Sequence, residues 1–216
     1  MPECENEAPM SETTRAPASR APGRPRSERA EKAIIDAVLD LLAEESGVAA
    51  VSIEAVAARA GVGKTTIYRR WPNKEALIVG ALAVAKRPLH DPGRGSLRAD
   101  LVDLARQLAA EREDPHARCF WNVVGGAEKH PGLFARYRKD VIEPRREVLR
   151  QVLRRGLDRG ELRPGTDPEV VIAILVGALV HKTPPTPLPP GYPEAVVDTV
   201  LRGIGTEAAL GPVTER

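Results

Sequence analysis

Two short helical stretches joined through a glycine constrain this chain more than any other feature. Residues 52–74 read SIEAVAARAGVGKTTIYRRWPNK. Ser52 can cap a helix over 53–60 that Gly61 ends, and a second helix over 64–71 stops at Pro72. A tight glycine turn between two such helices is the helix-turn-helix pattern. At about 100° per residue, Ile67 and Trp71 share the face that must be buried. Thr65, Thr66, Tyr68 and Arg69 fall on the opposite arc. Hydroxyls, a tyrosine and an arginine form an odd set for a merely solvated face, and they suit phosphates and base edges. Arg59, Lys64, Arg69, Arg70 and Lys74 outnumber the single acid, Glu54. The helix start at 63–65 adds backbone N–H groups for a phosphate.

Around this segment the period is helical almost throughout. Ile34, Ile35, Val38, Leu41 and Leu42 form one stripe, with Ser27 as a candidate N-cap and Gly47 as a stop. Asn73 can cap a fourth helix that runs to about Lys86, and the Pro/Gly-rich stretch 87–95 reads as a linker. Helices are expected over 96–113, 115–129, 131–160 with a kink at Pro144, 167–182 and 194–204, with a proline-rich loop over 183–193. No stretch alternates long enough, with β-branched enrichment, for a sheet. The expected fold is all-α: a tail over 1–26, a small helical unit over 27–86 and a larger helical domain over 87–216.

Composition narrows the classes. The chain has 216 residues, 42% of them hydrophobic, enough for a sizeable core. Two cysteines, Cys4 and Cys119, make no disulfide framework and point to a reducing compartment. The longest apolar run, 170–180, is too short for a membrane span. Residues 1–10 carry three Glu and no basic residue, unlike a signal peptide. The net charge of +2 names no partner, but the tail segregates its charge. Glu3, Glu5, Glu7 and Glu12 come first, then Arg15, Arg20, Arg24 and Arg26 with no acid among them. The tail lacks an apolar period and reads as disordered. Its arginines serve either as a solubilising stretch or as an arm that enters a minor groove or seeks phosphates.

Residues 28–80, and above all 51–74, resemble the DNA-binding domain of the TetR family of bacterial transcriptional regulators. The resemblance rests on the Ser-capped, alanine-rich IEAVAARAGV followed by GKTTIYRRW and PNKEAL. It implies that Ser52, Lys64, Tyr68 and Lys74 touch phosphates while Thr65, Thr66 and Arg69 face base edges. Gly63 stands where many members have Ser, so it can offer only its backbone. The strip from Gly132 to Arg163, with its mid-helix Pro144, is similar to a branch of the family's regulatory domains, which makes 183–193 the loop between two dimerising helices. The implied molecule is a cytoplasmic bacterial repressor, on the nucleoid when bound. It would be a homodimer on near-palindromic double-stranded DNA, released by a small-molecule effector, with no cofactor and no metal.

Other patterns compete. GVGKTT at 61–66 resembles a phosphate-binding loop, but that loop must follow a strand and 53–60 is helical in period. His116 and Cys119 share an i, i+3 face, with no second close pair to complete a metal site. The PxxP repeats in 183–193 read as a stiff connection rather than a peptide ligand. Phe120, Trp121, Phe134 and Tyr137 cluster within one stretch of the chain. They serve either as core or, with Leu104, Leu108, Val124, Ile172 and Val176, as walls of an apolar effector pocket. The alternative function is a helical small-molecule-binding protein or enzyme with an incidental basic segment. The lack of a convergent Ser/His/Asp set or carboxylate pair speaks against it.

Overall fold

The computed structural model describes residues 24–44, 47–112, 114–180, 188–206 and 209. These residues form the helices α1 (Arg24–Ala43), α2 (Ile53–Ala60), α3 (Lys64–Tyr68), α4 (Lys74–Ala85) and α5 (Leu97–Ala110). They continue with α6 (Ala117–Gly125), α7 (Pro131–Tyr137), α8 (Glu143–Asp158), α9 (Pro168–Val180) and α10 (Tyr192–Ile204). A π turn, Arg138–Ile142, joins α7 to α8. Among the described residues no helix is long and apolar enough to cross a membrane.

Local chemistry sets most boundaries. Ser52 Oγ accepts the Ala55 N–H at 3.0 Å, Asn73 Oδ1 that of Ala76 at 2.8 Å, and Ser96 Oγ that of Ala99 at 3.3 Å. Each satisfies an N–H that the first helical turn leaves without a partner. Gly61 ends α2 at φ 64°, the left-handed conformation that glycine adopts without strain. Several boundaries differ from expectation: α5 and α6 end at Ala110 and Gly125, short of 113 and 129, and two further differences lie nearer the start of the chain. Helix α1 begins at Arg24, so residues 24–26 are helical and not part of the expected tail; the rest of that tail, 1–23, lies outside the described residues. Pro25 fits a first helical turn, where no N–H donor is needed. Helix α3 stops at Tyr68, short of 71, because the Arg70 and Trp71 N–H groups both turn back to the Ile67 carbonyl, at 2.9 and 3.0 Å. The expected interruption at Pro144 takes the form of the π turn, whose wider coil accommodates a ring that would crowd a regular one.

Two apolar cores result. The first joins side chains of α1 to α4 with Cys119, Phe120 and Val123 of α6, Leu133 and Tyr137 of α7, and Val141. The second is built from α5, α8, α9 and α10. Packing therefore crosses the boundary expected at residue 86, because α6 and α7 belong with the N-terminal helices. Polar contacts hold α6 there. Cys119 Sγ donates to the Leu39 carbonyl at 3.0 Å. Asn122 Nδ2 donates to the Leu42 and Glu44 carbonyls at 2.6 and 3.1 Å, groups at the end of α1 that the helix itself leaves unpaired.

Candidate nucleic-acid interface

The geometry of α3 follows from one buried anchor. Ile67 is fully buried and Trp71 is packed half-buried on the same core. Lys64, Thr65, Tyr68 and Arg69 are thereby turned outward, with Thr66 half-buried at the edge of the arc. Tyr68 is 52% exposed on this arc, with its ring and hydroxyl open to solvent. Lys64 Nζ donates to Glu54 Oε1 at 2.6 Å across the turn. That bond raises the lysine's pKa and lowers the carboxylate's. Both side chains are more than half exposed, and exposed pairs contribute little, so a phosphate can compete for the ammonium.

The flanking positions are placed by the same elements. Ser52 Oγ accepts from Ala55 and keeps its O–H to donate elsewhere. Gly63 precedes α3 in extended conformation with no side-chain cap, leaving only backbone N–H groups at that end. Lys74 Nζ donates one of its three hydrogens to the Val48 carbonyl at 3.0 Å, which holds the ammonium beside the start of α4. Arg70 departs from expectation. Its guanidinium turns back to α1, donating to the Ser27 carbonyl at 3.0 Å and to Ser27 Oγ at 2.5 Å, with Glu31 at 3.5 Å and the Thr66 carbonyl at 3.2 Å. It orders α1 against α3 rather than joining the exposed arc. Ser27 thus serves as an acceptor inside α1 and not as its cap. Arg24 and Arg26 lie in the first turn of α1, with side chains outside the described residues.

The nine expected pocket residues do not share one space. Phe120 and Tyr137 are buried in the first core, with Phe134 packed against it. Leu104, Leu108 and Ile172 lie in the second, with Val176 against it. Trp121 and Val124 are 37% and 38% exposed on α6. An open apolar groove lies elsewhere, between α9 and α10, lined by Val170, Val171, Ile174, Val200 and Ile204 among others. Sequence reasoning also missed a charged layer at the seam between the cores, where Lys86, Glu111 and Arg145 meet. Its members come from three distant segments, and no local pattern marks them. Residues 53–60 are a helix, so GVGKTT lacks the strand a phosphate loop requires. Among the described residues no group of three or more His, Cys, Asp and Glu is placed to hold a metal ion.

Comparison with known proteins agrees with this geometry at both ends of the chain. Residues 34–81 match the family model "Bacterial regulatory proteins, tetR family", and residues 91–200 match "Tetracyclin repressor-like, C-terminal domain". The chain is 36% identical over 161 residues to the HTH-type transcriptional regulator YdeS of Bacillus subtilis, spanning 74% of this chain and 81% of that one. It is 28% identical over 179 residues to the DNA-binding transcriptional repressor TetR of Mycobacteroides abscessus, spanning 82% and 94%. Among solved structures, the TetR family transcription regulator SCO0332 superposes with a TM-score of 0.59 at 30% identity, covering 82% of this chain and all of the other. The flavonoid-responsive regulator FrrA superposes with a TM-score of 0.63 at 23% identity, covering 84% and 100%, which speaks for the fold. On the helix-turn-helix, the two matched domains and these relatives, the chain belongs to the TetR family and is a DNA-binding transcriptional regulator, not an enzyme.

Proposed function

We propose that the chain is a homodimeric repressor of a near-palindromic operator, acting in the bacterial cytoplasm and released by a small, largely apolar effector. The observation that carries the DNA side is the exposed arc of α3, with Ile67 fully buried beneath it. In this reading Thr65, Thr66 and Arg69 meet base edges. Ser52, Gly63, Lys64, Tyr68 and Lys74 meet phosphates, and Arg24 and Arg26 extend the basic surface from the start of α1. Arg70 acts by holding α1 in place.

The homodimer is supported by α9, an apolar helix whose Val170 and Ile174 remain 55% and 50% exposed in the single chain beside the groove to α10. A second copy would cover them. Two-fold symmetry would then present two α3 helices to half-sites about one helical turn apart, or a multiple of it.

The test is fluorescence anisotropy on genomic fragments selected by the protein. Affinity is expected to fall by about 10³ or more between about 50 and 200 mM salt. Lys74→Ala should weaken all sequences alike, whereas Arg69→Ala should relax discrimination at particular base pairs by about 1–3 kcal/mol. A salt-independent affinity would overturn the interface. A sedimenting species of monomer mass at micromolar concentration would overturn the dimer.

A further inference from the structure

Glycine weakens the middle of a helix, and Gly80 stands in the middle of α4, between the buried Val79 and Ala81. Its backbone does not call for glycine, because its φ is not in the left-handed region. What calls for it is Trp71. A Cβ at position 80 would stand 2.6 Å from Trp71 Nε1, 3.3 Å from Cδ1 and 3.6 Å from Cε2. The missing side chain is what lets the indole lie against α4.

On its other side Trp71 is tied to α3. Its N–H, like that of Arg70, turns back to the Ile67 carbonyl. Helix α3 has only five residues and packs on α2, too short an element to hold its own orientation. Side chains hold it instead: Ile67 is sunk in the core, Arg70 reaches α1 at Ser27, and Trp71 lies on α4 at Gly80. Ile67 sets the depth of α3 and Arg70 one edge, which leaves its roll to Trp71. Thr65, Tyr68 and Arg69 leave the opposite side of the same turn, so a rotation that lifts Trp71 off α4 carries them with it. Hydrogen bonds to base edges tolerate little displacement, whereas attraction to phosphates falls off gently with distance. We propose that Gly80 is a positioning residue for DNA recognition: its bare backbone receives the Trp71 indole, and the indole sets the roll of α3 against the bases. This rests on the reading above that Thr65, Thr66 and Arg69 meet base edges.

The test uses the full chain, a double-stranded fragment that it selects from genomic DNA, and an unrelated fragment of equal length. Trp71 is half-buried and can yield outward, so a methyl at position 80 displaces it rather than opening the core. Gly80→Ala should lower affinity for the selected fragment by about tenfold or more, the worth of one good base contact. Affinity for unrelated DNA, which rests on charge, should stay unchanged. Melting should be no lower than native, because the methyl favours a helix interior. The two tryptophans give two indole N–H signals by NMR. That of Trp71, identified by its loss in Trp71→Phe, should move in Gly80→Ala while that of Trp121 stays. Phenylalanine lacks the fused ring and can tilt away from the methyl, so adding Gly80→Ala to Trp71→Phe should cost the selected fragment nothing further. Unchanged affinity with a displaced indole signal would show that the side chain yields alone, and would overturn the proposal. Equal loss on both DNAs, or the same loss in the Trp71→Phe background, would also overturn it. If Gly80→Ala melts lower, the Trp71→Phe background decides, since a fault in α4 itself would persist there. Arg69→Ala separates the two readings. Discrimination that survives it refutes the base contact of Arg69 whatever Gly80→Ala does; discrimination lost there but kept in Gly80→Ala refutes only the positioning role.

Discussion

Replacing Asn122 by aspartate keeps the shape of the side chain and inverts its role. The amide donates its two hydrogens to the Leu42 and Glu44 carbonyls, at 2.6 and 3.1 Å, and so caps the C-terminal end of α1. In Asn122→Ala the Leu42 carbonyl, which is partly buried, loses its partner, while water replaces the amide at the exposed Glu44 carbonyl. The first loss costs about 1–3 kcal/mol and the second close to nothing. Asn122→Asp adds two further penalties. Its carboxylate oxygens face carbonyl oxygens, and its charge sits at the negative end of the α1 dipole, worth about 0.3–1 kcal/mol more. Asp should therefore be the worse substitution by about 1 kcal/mol, although it is the better isostere. Acid reverses the order. Once protonated, the Asp carboxyl can donate one hydrogen bond back to Leu42, so the gap should close as pH falls below about 4. Urea unfolding followed by circular dichroism at neutral and acid pH measures both effects. If Asn122→Asp were as stable as Asn122→Ala at pH 7, the amide would not be capping α1, and α6 would be held by the Cys119 contact and apolar packing.

Further outcomes are expected at four positions. Gly156→Ala would place a methyl 2.8 and 2.9 Å from the Leu97 Cδ atoms; Leu97 is fully buried and cannot retreat, so overpacking of about 1–3 kcal/mol should outweigh the helix gain of about 1 kcal/mol. Gly177→Ala meets nothing within 4 Å and should instead raise the urea midpoint of the separated subunit. Lys86 is faced by Arg145 from α8, Glu111 after α5, and Asp114 and the Phe120 ring. Its folded pKa of about 8 lies below the ordinary lysine value, so the unfolded chain holds the proton more tightly and stability should rise between pH 8 and about 10.5. Lys86→Met should therefore be more stable than the native chain at pH 7, by about 3 kcal/mol at most, and the advantage should vanish by about pH 10; a less stable variant at pH 7 would mean that the Glu111 bond outweighs burial. Arg70→Ala should speed amide hydrogen exchange over residues 28–34 as the start of α1 loses its tie, and Arg70→Lys should rescue little, because an ammonium cannot fork between Ser27 and Glu31; unchanged exchange would refute the clamp.

What could be read from the sequence was what is decided locally. Ser52, Gly61, Asn73 and Ser96 act on backbone groups within a few residues, and each stands at the helix end its chemistry indicates. Ser27 has the same chemistry and a different fate, because its partner is Arg70, 43 residues away. The face of α3 was legible because one buried isoleucine fixes it. The aromatic cluster divides between core and surface for a geometric reason. Phe120 and Trp121 are neighbours in sequence, so on a helix they point about 100° apart, and burying the first leaves the second toward solvent. Leu104 and Leu108 follow a helical repeat that says they are buried, without saying in which of two cores.

That division into two cores has a mechanical consequence which the chain order conceals. The α7–π–α8 segment runs from one core into the other: Val141 lies in the first, Leu149 in the second, and Arg145 between them. Separating α4 from α1 and α7 would expose Leu77, Ile78 and Leu82, all fully buried, at about 25 cal/mol for each Å² of apolar surface uncovered. Loosening the layer of Lys86, Glu111 and Arg145 would instead expose ions that water solvates well, so hydration offsets the lost pairing. A displacement between the helix-turn-helix and the α9–α10 face is therefore made most cheaply at this layer. The body that moves then comprises α1 to α4 together with α6 and α7, because Asn122, Cys119 and the shared core bind α6 to α1. On this packing α4 stays with α1 and α7. It is carried with α1, and the charged seam at its end is where the two cores part.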